Sequence, residues 1–567
     1  MIFGDALKYI DKIRRLINDE KGAVKKTFRD RISVALAYPN LYQVGMSNLG
    51  FQNIYYLLNK EEDVVCERVF LPDKEDIEVF IRRKIPLFSF ESQIPIVDFN
   101  ILAFSISFEA DYINILRILD LAGIPLLSNQ RKNYFPIVIA GGVCTFYNPE
   151  PLADFIDMFI IGEGEEAIKD FLDEFRNTLG IRGKKEEIVK KFSKIEGIYI
   201  PSGYKISYYS DGRIRSLKAK KGYPEKIKKR YIKNIDNFPT STKIFTVNTE
   251  FSDMYLVEIE RGCGKNCKFC VTSHVYSPPR YSSKEIIIKD VKKGLQYSNK
   301  IGLVGSSLMD HPQIESICHA ILKMGGKISV SSLRIDSLSE DFIKCLAASG
   351  HKTLSFAPEA GTERLRRFIN KEMTDEEIIK GIRLITAEDI PHIKLYFLIG
   401  IPTETEGDIQ GLIDLIKRIK HYILKDSRKK GRLGNITLSI NPFVPKPFTP
   451  FQWDRMEDVK SLERKLKIIK NGLKKVANVF VIHELPKWSF IQAILSRGDR
   501  RVGELLLASY NLREDWRRAI KEVNINPEFY VYRKRDYKEI FPWDHIDVGI
   551  EKDYLFNKRE KNIRYGE

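Results

Sequence analysis

Short apolar runs recur along the chain, separated by stretches in which apolar positions return every three or four residues. The first run, RISVALAYP (31–39), reads as a buried strand, and MSNLGFQNIYYLLNK (46–60) as a helix behind it. VVCERVFLP (64–72) and EDIEVFIRR (75–83) repeat the alternation, and IPLFSFES (85–92) and ILAFSIS (101–107) predict two further strands. In the helix that follows, Tyr112, Ile115, Leu116 and Leu119 share one face. PIVIAGG (136–142) and DMFIIGEGE (157–165) close the series. Strands apolar throughout, alternating with amphipathic helices, imply an open parallel sheet covered on both sides. This α/β domain is expected over 25–195, after an N-terminal helix at 1–24.

Residues 196–252 break the rhythm. They carry short alternating strand signals, and from Arg213 to Lys233 there are ten Lys or Arg residues against one acid, Glu225. This basic, β-rich connector reads either as a solvated link or as a surface for a polyanion, with Tyr223 and Tyr231 placed to stack on bases. The alternation resumes at MYLVEIE (254–260) and continues through IGLVG, KISVSSLR, KTLSFAP, HIKLYFLIG and NITLSINPF. Six strand–helix units suit a partial (β/α)6 barrel of the TIM type over 253–450, with its site at the strands' C-terminal ends. A helical C-terminal extension is expected over 451–567.

Bulk composition adds limits. With 567 residues, 43% hydrophobic and 30% charged, the chain reads as globular with two or three domains. No apolar run approaches the roughly 20 residues of a membrane span. The N-terminus has no apolar core or cleavage site of a signal peptide, so a cytoplasmic protein without membrane contact is expected. The net charge of +17 favours contact with nucleic acid, or reflects only a Lys-rich surface.

The chemistry concentrates in EIERGCGKNCKFCVTSH. Cys263, Cys267 and Cys270 are spaced Cys-x3-Cys-x2-Cys, and the remaining four cysteines (Cys66, Cys144, Cys318 and Cys345) are scattered. Three thiolates on one loop can each bind one iron of a cubane cluster and leave the fourth iron open. The rival is zinc, with His274 as a fourth ligand. The loop's position, straight after the first barrel strand, favours the cluster.

At these residues the chain resembles the radical S-adenosylmethionine (SAM) superfamily, whose loop is Cys-x3-Cys-x-aromatic-Cys, with Phe269 as the aromatic. The resemblance spans about 250–450. It implies a 4Fe–4S cluster on the three cysteines and SAM chelated at the open iron. One electron then cleaves SAM to a 5′-deoxyadenosyl radical. It also implies a one-electron donor such as a flavodoxin or ferredoxin. Gly305, Ser306 and Ser307 stand where the family has a Gly-Gly-Glu turn for the methionine amino group. Arg334 is placed for the SAM carboxylate, Glu359 for a polar SAM contact, and Gly400 with Pro402 beside the adenine. The last two motifs resemble those of methylthiotransferases.

The N-terminal half resembles the cobalamin-binding class of these proteins, in a fused and poorly characterised subfamily. Gly141, Gly142, Pro149, Glu150, Gly162, Glu163, Gly164 and Glu165 carry the likeness, as does AYPNLYQVGMSNLGFQ with Gly45, Ser47 and Asn48. A cobalamin-binding-like, Rossmann-like domain is implied, with Gly45, Ser47, Asn48, Gly141, Gly142, Gly162 and Glu163 at the cofactor. The first histidine of the chain is His274, so this domain has no imidazole for cobalt. Cobalamin bound without a histidine, another ligand, or an empty relic domain all stay open.

The expected function is reductive SAM cleavage to start a radical modification, with cobalamin-dependent methyl transfer to an unactivated carbon preferred. The alternatives are a radical RNA-modifying enzyme without cobalamin, and a zinc- or cluster-bearing RNA-binding protein. The substrate class, RNA or protein, stays open, and no catalytic residue is assigned. Among the rest, His311 reads as a turn residue or a proton carrier, and Tyr396 and Tyr510 as core aromatics or radical relays. DSRKKGR (426–432) reads as a solvated loop or phosphate contact, and SRGDRR (496–501) as a helix-capping ion-pair segment or an anion site.

Overall fold

The computed structural model describes residues 2–132, 134–181, 183–428 and 434–563. The N-terminal sheet comprises β1 (Ile32–Tyr38), β2 (Val64–Phe70), β3 (Ile101–Ser105), β4 (Ile137–Gly141), β5 (Met158–Ile160) and β6 (Ile198–Tyr199). Their order is β2-β1-β3-β4-β5-β6, the first five parallel and β6 antiparallel to β5. Every residue of β1 and β2 is buried, as apolar runs without alternation require. The strand order reverses between β1 and β3, and a doubly wound sheet leaves its ligand crevice beyond the strand ends at such a point.

Two local expectations change. The helix at 46–60 is two helices, Tyr42–Met46 and Leu49–Lys60, because Asn48 is extended and its side chain accepts the Phe51 N–H at 2.9 Å. The strand at 85–92 does not form. Pro86 and Pro95 flank a loop that serves the polar end of β2 instead. Glu91 accepts from Arg68 Nε at 2.6 Å and from its backbone N–H at 2.8 Å, and Ser89 Oγ donates to Glu67 at 2.5 Å. A fully buried arginine has to be paired, and Glu20 and Glu91 hold Arg68 from two sides.

The connector forms a hairpin of β7 (Tyr204–Tyr208) and β8 (Ile214–Ala219), then β9 (Ile227–Lys228). The second sheet starts with β10 (Tyr255–Glu258). The small antiparallel pair β11 (Glu260–Arg261) and β12 (Arg280–Tyr281) brackets the cysteine loop. Then come β13 (Lys300–Val304), β14 (Lys327–Val330), β15 (Thr353–Glu359), β16 (His392–Ile399), β17 (Ile436–Pro442) and β18 (Val479–His483). β10-β13-β14 and β15-β16-β17-β18 are parallel, and a Leu333–Phe356 bridge links the two groups. The partial barrel therefore has seven strands rather than six. β18 lies inside the extension expected to be helical, at the open edge where its residues are only half-buried or exposed. The C-terminal part is otherwise mostly helical, but β19 (Ile546–Asp547) returns to pair with β9, so connector and C-terminus share one small sheet.

The two large units are locked by a buried charge cluster. Glu163, at the turn after β5, accepts from Arg280 on β12 at 2.8 and 2.7 Å and from the Ile232 N–H at 2.6 Å. Arg261 on β11 bridges Glu165 at 2.8 Å and Glu258 at 2.7 Å. Burial alone would raise the Glu163 carboxyl; hydrogen bonds from Arg280 and the charge of Arg261 outweigh it and hold the group below the usual carboxylate range. Removing one member leaves a buried charge unpaired, at a cost of about 3–5 kcal/mol. Glu163→Gln is expected to loosen the junction by that order and to expose the connector. Limited proteolysis would then cut within 196–252 several times faster than in the wild type, and unchanged cutting would contradict the clamp.

Candidate active site

The cysteine loop leaves β11 through Gly262, whose φ of +89° and tight quarters (a Cβ would sit 2.5 Å from the Tyr276 carbonyl oxygen) admit only glycine. Its backbone is pinned from behind. Asn370 Nδ2 donates to the carbonyls of Lys265 and Asn266 at 3.0 and 3.1 Å, and the Lys268 N–H donates to Ile369 at 3.0 Å. Cys267 is buried, and Cys263 and Cys270 are half-buried. Burial pushes the Cys263 thiol up and the Cys267 thiol to about 11, the latter against the pull of Lys371 and Arg334. Metal binding would displace those protons, and the two cations suit the thiolates that result.

His274 is tied to the backbone of the cysteine loop. Its Nδ1 lies 2.7 Å from the Cys270 carbonyl oxygen and must donate to it, while Nε2 is buried without a hydrogen-bond partner among the described residues. No three His, Cys, Asp or Glu side chains among the described residues converge on a single ion.

A cavity of about 760 Å³ opens from this loop toward the N-terminal sheet. Glu258, Glu260, Gly262, Gly305 and Ser306 line its barrel side. Its other side runs along one face of the sheet, through Leu36, Ala103 and Ile139, and past the crevice at the β1–β3 reversal. Ser47, Asn48, Gly141, Gly142 and Gly162 line it there. Gly142 and Gly162 have φ near +107° and +109°, and a Cβ on either would collide with a backbone carbonyl, of Ile106 and Arg230 respectively. Asn48 also donates to Ser107 Oγ at 3.1 Å, and Ser47 Oγ accepts the Glu250 N–H at 2.8 Å.

The other motif residues have partners within the protein or lie off the cavity wall. Gly45 is absent from the cavity wall; it lets its helix press on Phe70, 2.5 Å from where a Cβ would stand. Glu163 reaches the wall, but its oxygens serve the domain clamp. Glu150 is buried with Arg500 and Tyr199, so the Pro-Glu motif braces the C-terminal helices. Ser307 lies behind Gly305, its N–H on Glu260 at 2.8 Å. Arg334 pairs with Asp336, and Glu359 with Lys371 at 3.1 Å, both beside Cys267. Gly400 donates to Glu404 at 2.7 Å and packs on Leu462, with Pro402 in the same turn. Phe269 packs on the small core of Leu365, Phe368 and Phe451 behind the loop.

His311 uses both nitrogens in its turn, Nε2 on the Ser282 carbonyl at 2.9 Å and Nδ1 on the Gln313 N–H at 3.1 Å. Tyr510 bonds Asp120 at 2.5 Å, and Tyr396 lies under Lys394. Tyr223 packs beside Lys190, and Tyr231 near Arg280. SRGDRR holds ion pairs and accepts from Asn148, which favours its structural reading. The side chains of DSRKKGR lie outside the described residues. Glu260 and Arg261 escaped the sequence reading. The signal was two acids at alternate positions, Glu258 and Glu260, in an otherwise apolar strand end.

Two family descriptions match the chain: "Radical SAM proteins, N-terminal" over 50–201 and "Radical SAM superfamily" over 257–416. An uncharacterized protein of Methanocaldococcus jannaschii, MJ0966, is 31% identical over 84% of this chain and 91% of its own length. The chain belongs to the radical SAM superfamily. The ribosomal protein uS12 methylthiotransferase RimO of Thermodesulfovibrio yellowstonii is 26% identical over 36% of the chain, which spans 51% of that protein. An uncharacterized methyltransferase of Pyrococcus horikoshii, PH0819, is 24% identical over 52% of the chain and 60% of its own length. In fold, this radical SAM enzyme resembles the cobalamin-dependent SAM radical enzyme OxsB, solved with aqua-cobalamin and SAM. The TM-score is 0.50 over 94% of this chain and 80% of OxsB, at 14% identity. Superfamily membership implies a 4Fe–4S cluster, SAM and an external electron donor. No helix among the described residues is long and apolar enough to cross a membrane.

Burial lowers the His274 pKa from 6.5 to about 4, against the hydrogen bond to Cys270. The neutral ring is therefore worth about 3 kcal/mol to the fold. That stability is fully present above pH 6.5 and is lost as pH falls through 4. The stability gap between wild type and His274→Asn, measured by denaturant unfolding, is expected to narrow by that order from pH 7 to pH 4. A gap that stays constant would contradict the assignment.

Proposed function

We propose that this radical SAM enzyme is a cobalamin-dependent methyltransferase that acts on an unactivated carbon, with its cluster on Cys263, Cys267 and Cys270. The observation that carries the reading is the continuity of the cavity from the glycine-lined strand ends of the N-terminal sheet to the mouth of the barrel. A parallel sheet binds ligands beyond its strand ends, and a barrel does its chemistry at the same end of its strands. Here the two ends face one chamber.

The residues present fit the groups the family implies. Three cysteines on a pinned loop suit a cluster with one open iron. The apolar walls and the side-chain-free approaches at Gly141, Gly142 and Gly162 suit a bulky cofactor. When bound, the cluster and SAM supply the radical and cobalamin the methyl group. The chain's own part is to position and to exclude water. Gly262 and Asn370 fix the loop, Glu163 with Arg280 holds the two domains together, and the apolar sheet face keeps the chamber dry. Cobalamin would bind here without an imidazole from the N-terminal domain. The substrate in this reading is an RNA or a protein, and the electron donor a flavodoxin or ferredoxin. The methylthiotransferase likeness falls mainly on the barrel, and the chain has no second group of three cysteines.

Mass spectrometry of protein prepared without oxygen is expected to find a cobamide, and Cys267→Ala to abolish 5′-deoxyadenosine formation. Retained SAM cleavage in that variant would overturn the cluster assignment. Failure to take up supplied cobalamin would overturn methyl transfer.

A further inference from the structure

The hairpin of β7 and β8 has two unlike faces. Tyr204, Ile206 and Tyr208 share the inner one, where Tyr204 packs on Tyr199 and His545 and Tyr208 lies under Arg501. The alternate positions turn outward. There Lys205 stands directly opposite Lys218, and Ser207 opposite Ser216 with their hydroxyls 2.7 Å apart. Like charges placed opposite each other across a sheet destabilise it. The strip continues past the hairpin. Tyr223 lays its ring over Gly203, where a Cβ would meet the ring at 2.4 Å, and Lys190 of the helix Lys185–Lys191 lies 5.7 Å from the centre of the same ring. Lys220 and Lys221 join the hairpin to that tyrosine. All five lysines are exposed, and none pairs with an acid among the described residues; the ion pairs of this stretch belong to Arg213, Lys228 and Arg230.

Unanswered cations grouped around a tyrosine suit a polyanion that also offers flat rings. A membrane surface would need apolar side chains among the cations, and Ser207 and Ser216 stand there instead. The strip also leads to the chamber. β9 follows Tyr223 in the chain, and just beyond it the Arg230 backbone closes on Gly162 in the cavity wall.

We propose that this strip binds the phosphate backbone of an RNA, the substrate whose reactive carbon enters the chamber. The inference rests on the function proposed above and narrows its substrate class to RNA. The lysines neutralise phosphates and position the strand, and Tyr223 stacks on an unpaired base.

The test uses the full chain with its cluster reconstituted without oxygen, and fluorescence anisotropy of an end-labelled RNA of about 20 uridines. One variant combines Lys205→Gln, Lys218→Gln, Lys220→Gln and Lys221→Gln. Its affinity is expected to fall at least about tenfold at roughly 0.1 M salt, and the slope of log Kd against log salt to drop by about three, at roughly 0.7 for each phosphate contact on a single strand. A control variant removes the same charge from exposed lysines elsewhere, Lys460, Lys467, Lys474 and Lys475, and is expected to bind within about twofold of wild type. Tyr223→Leu is expected to weaken RNA binding about fivefold or more and to leave binding of a polyglutamate of like length unchanged. Equal losses in the two four-lysine variants, no RNA binding by wild type, or tighter capture of polyglutamate or of phosphatidylserine vesicles than of RNA would overturn the proposal. 5′-Deoxyadenosine formation is read on the same wild-type preparation. Its absence refutes the proposed function and with it the role of the RNA as substrate, whereas its presence without RNA binding sinks this inference alone. Should the four-lysine variant not fold, Lys205→Gln with Lys218→Gln serves in its place, with about half the change in slope.

Discussion

The molecule depends on how two sheets that each end in an open crevice are held mouth to mouth. The tie is a buried set of charges, Glu163 and Glu165 from the N-terminal domain against Arg261 and Arg280 from the barrel. Arg261 is two residues before Cys263, so the charge that docks the domains also orients the cysteine loop. Arginine suits this place because its planar fork serves several carboxylates at once, and Arg280 pairs with both oxygens of Glu163. A hydrophobic contact of equal area would join the domains without fixing their register.

From that constraint the chamber follows. Its walls come from strands of the N-terminal sheet, from the helices Leu49–Lys60 and Gly164–Thr178 packed on that sheet, and from the first three barrel strands. Neither domain alone encloses it. The positive-φ glycines at 142 and 162 bring Ile106 and Arg230 backbone so close that no side chain could intervene, which draws the strand ends together around the opening. Distant parts of the chain reinforce the closure. Lys446 beyond β17 pairs with Glu109 beyond β3, Gln492 donates to the same carboxylate at 3.1 Å, and Arg500 reaches Glu150. The C-terminal extension thus acts as a strap across the junction.

Much of this was legible in the chain. Apolar runs without alternation announced the parallel sheet, and the strand–helix units that resume at Met254 announced the barrel. What was not legible had physical causes. The run at 85–92 has strand composition, but the buried Glu67 and Arg68 needed partners more than the sheet needed another edge. β18 is an edge strand with one wet side, and five residues after a basic helix give little periodicity to read. Glu163 and Glu150 were legible as motif residues, but a motif does not tell whether a carboxylate faces a ligand or an arginine folded back from elsewhere. Gly45 shows the same limit. A glycine that admits a cofactor and one that admits a phenylalanine have the same letter.

Charge placement separates the two ends of the cysteine loop. Around Cys267 stand Lys371 and Arg334, each already paired with an acid, so the surroundings are polar but nearly balanced. Around Cys263 the balance is different, because Glu260 is held there by backbone N–H groups, Ser307 at 2.8 Å among them, while Lys265 beside it is paired with Asp310. Burial raises that carboxyl to about 7, against the stabilising Ser307 N–H, so the fold retains an acid there at a cost. Folding alone would favour an apolar residue or a glutamine at this position.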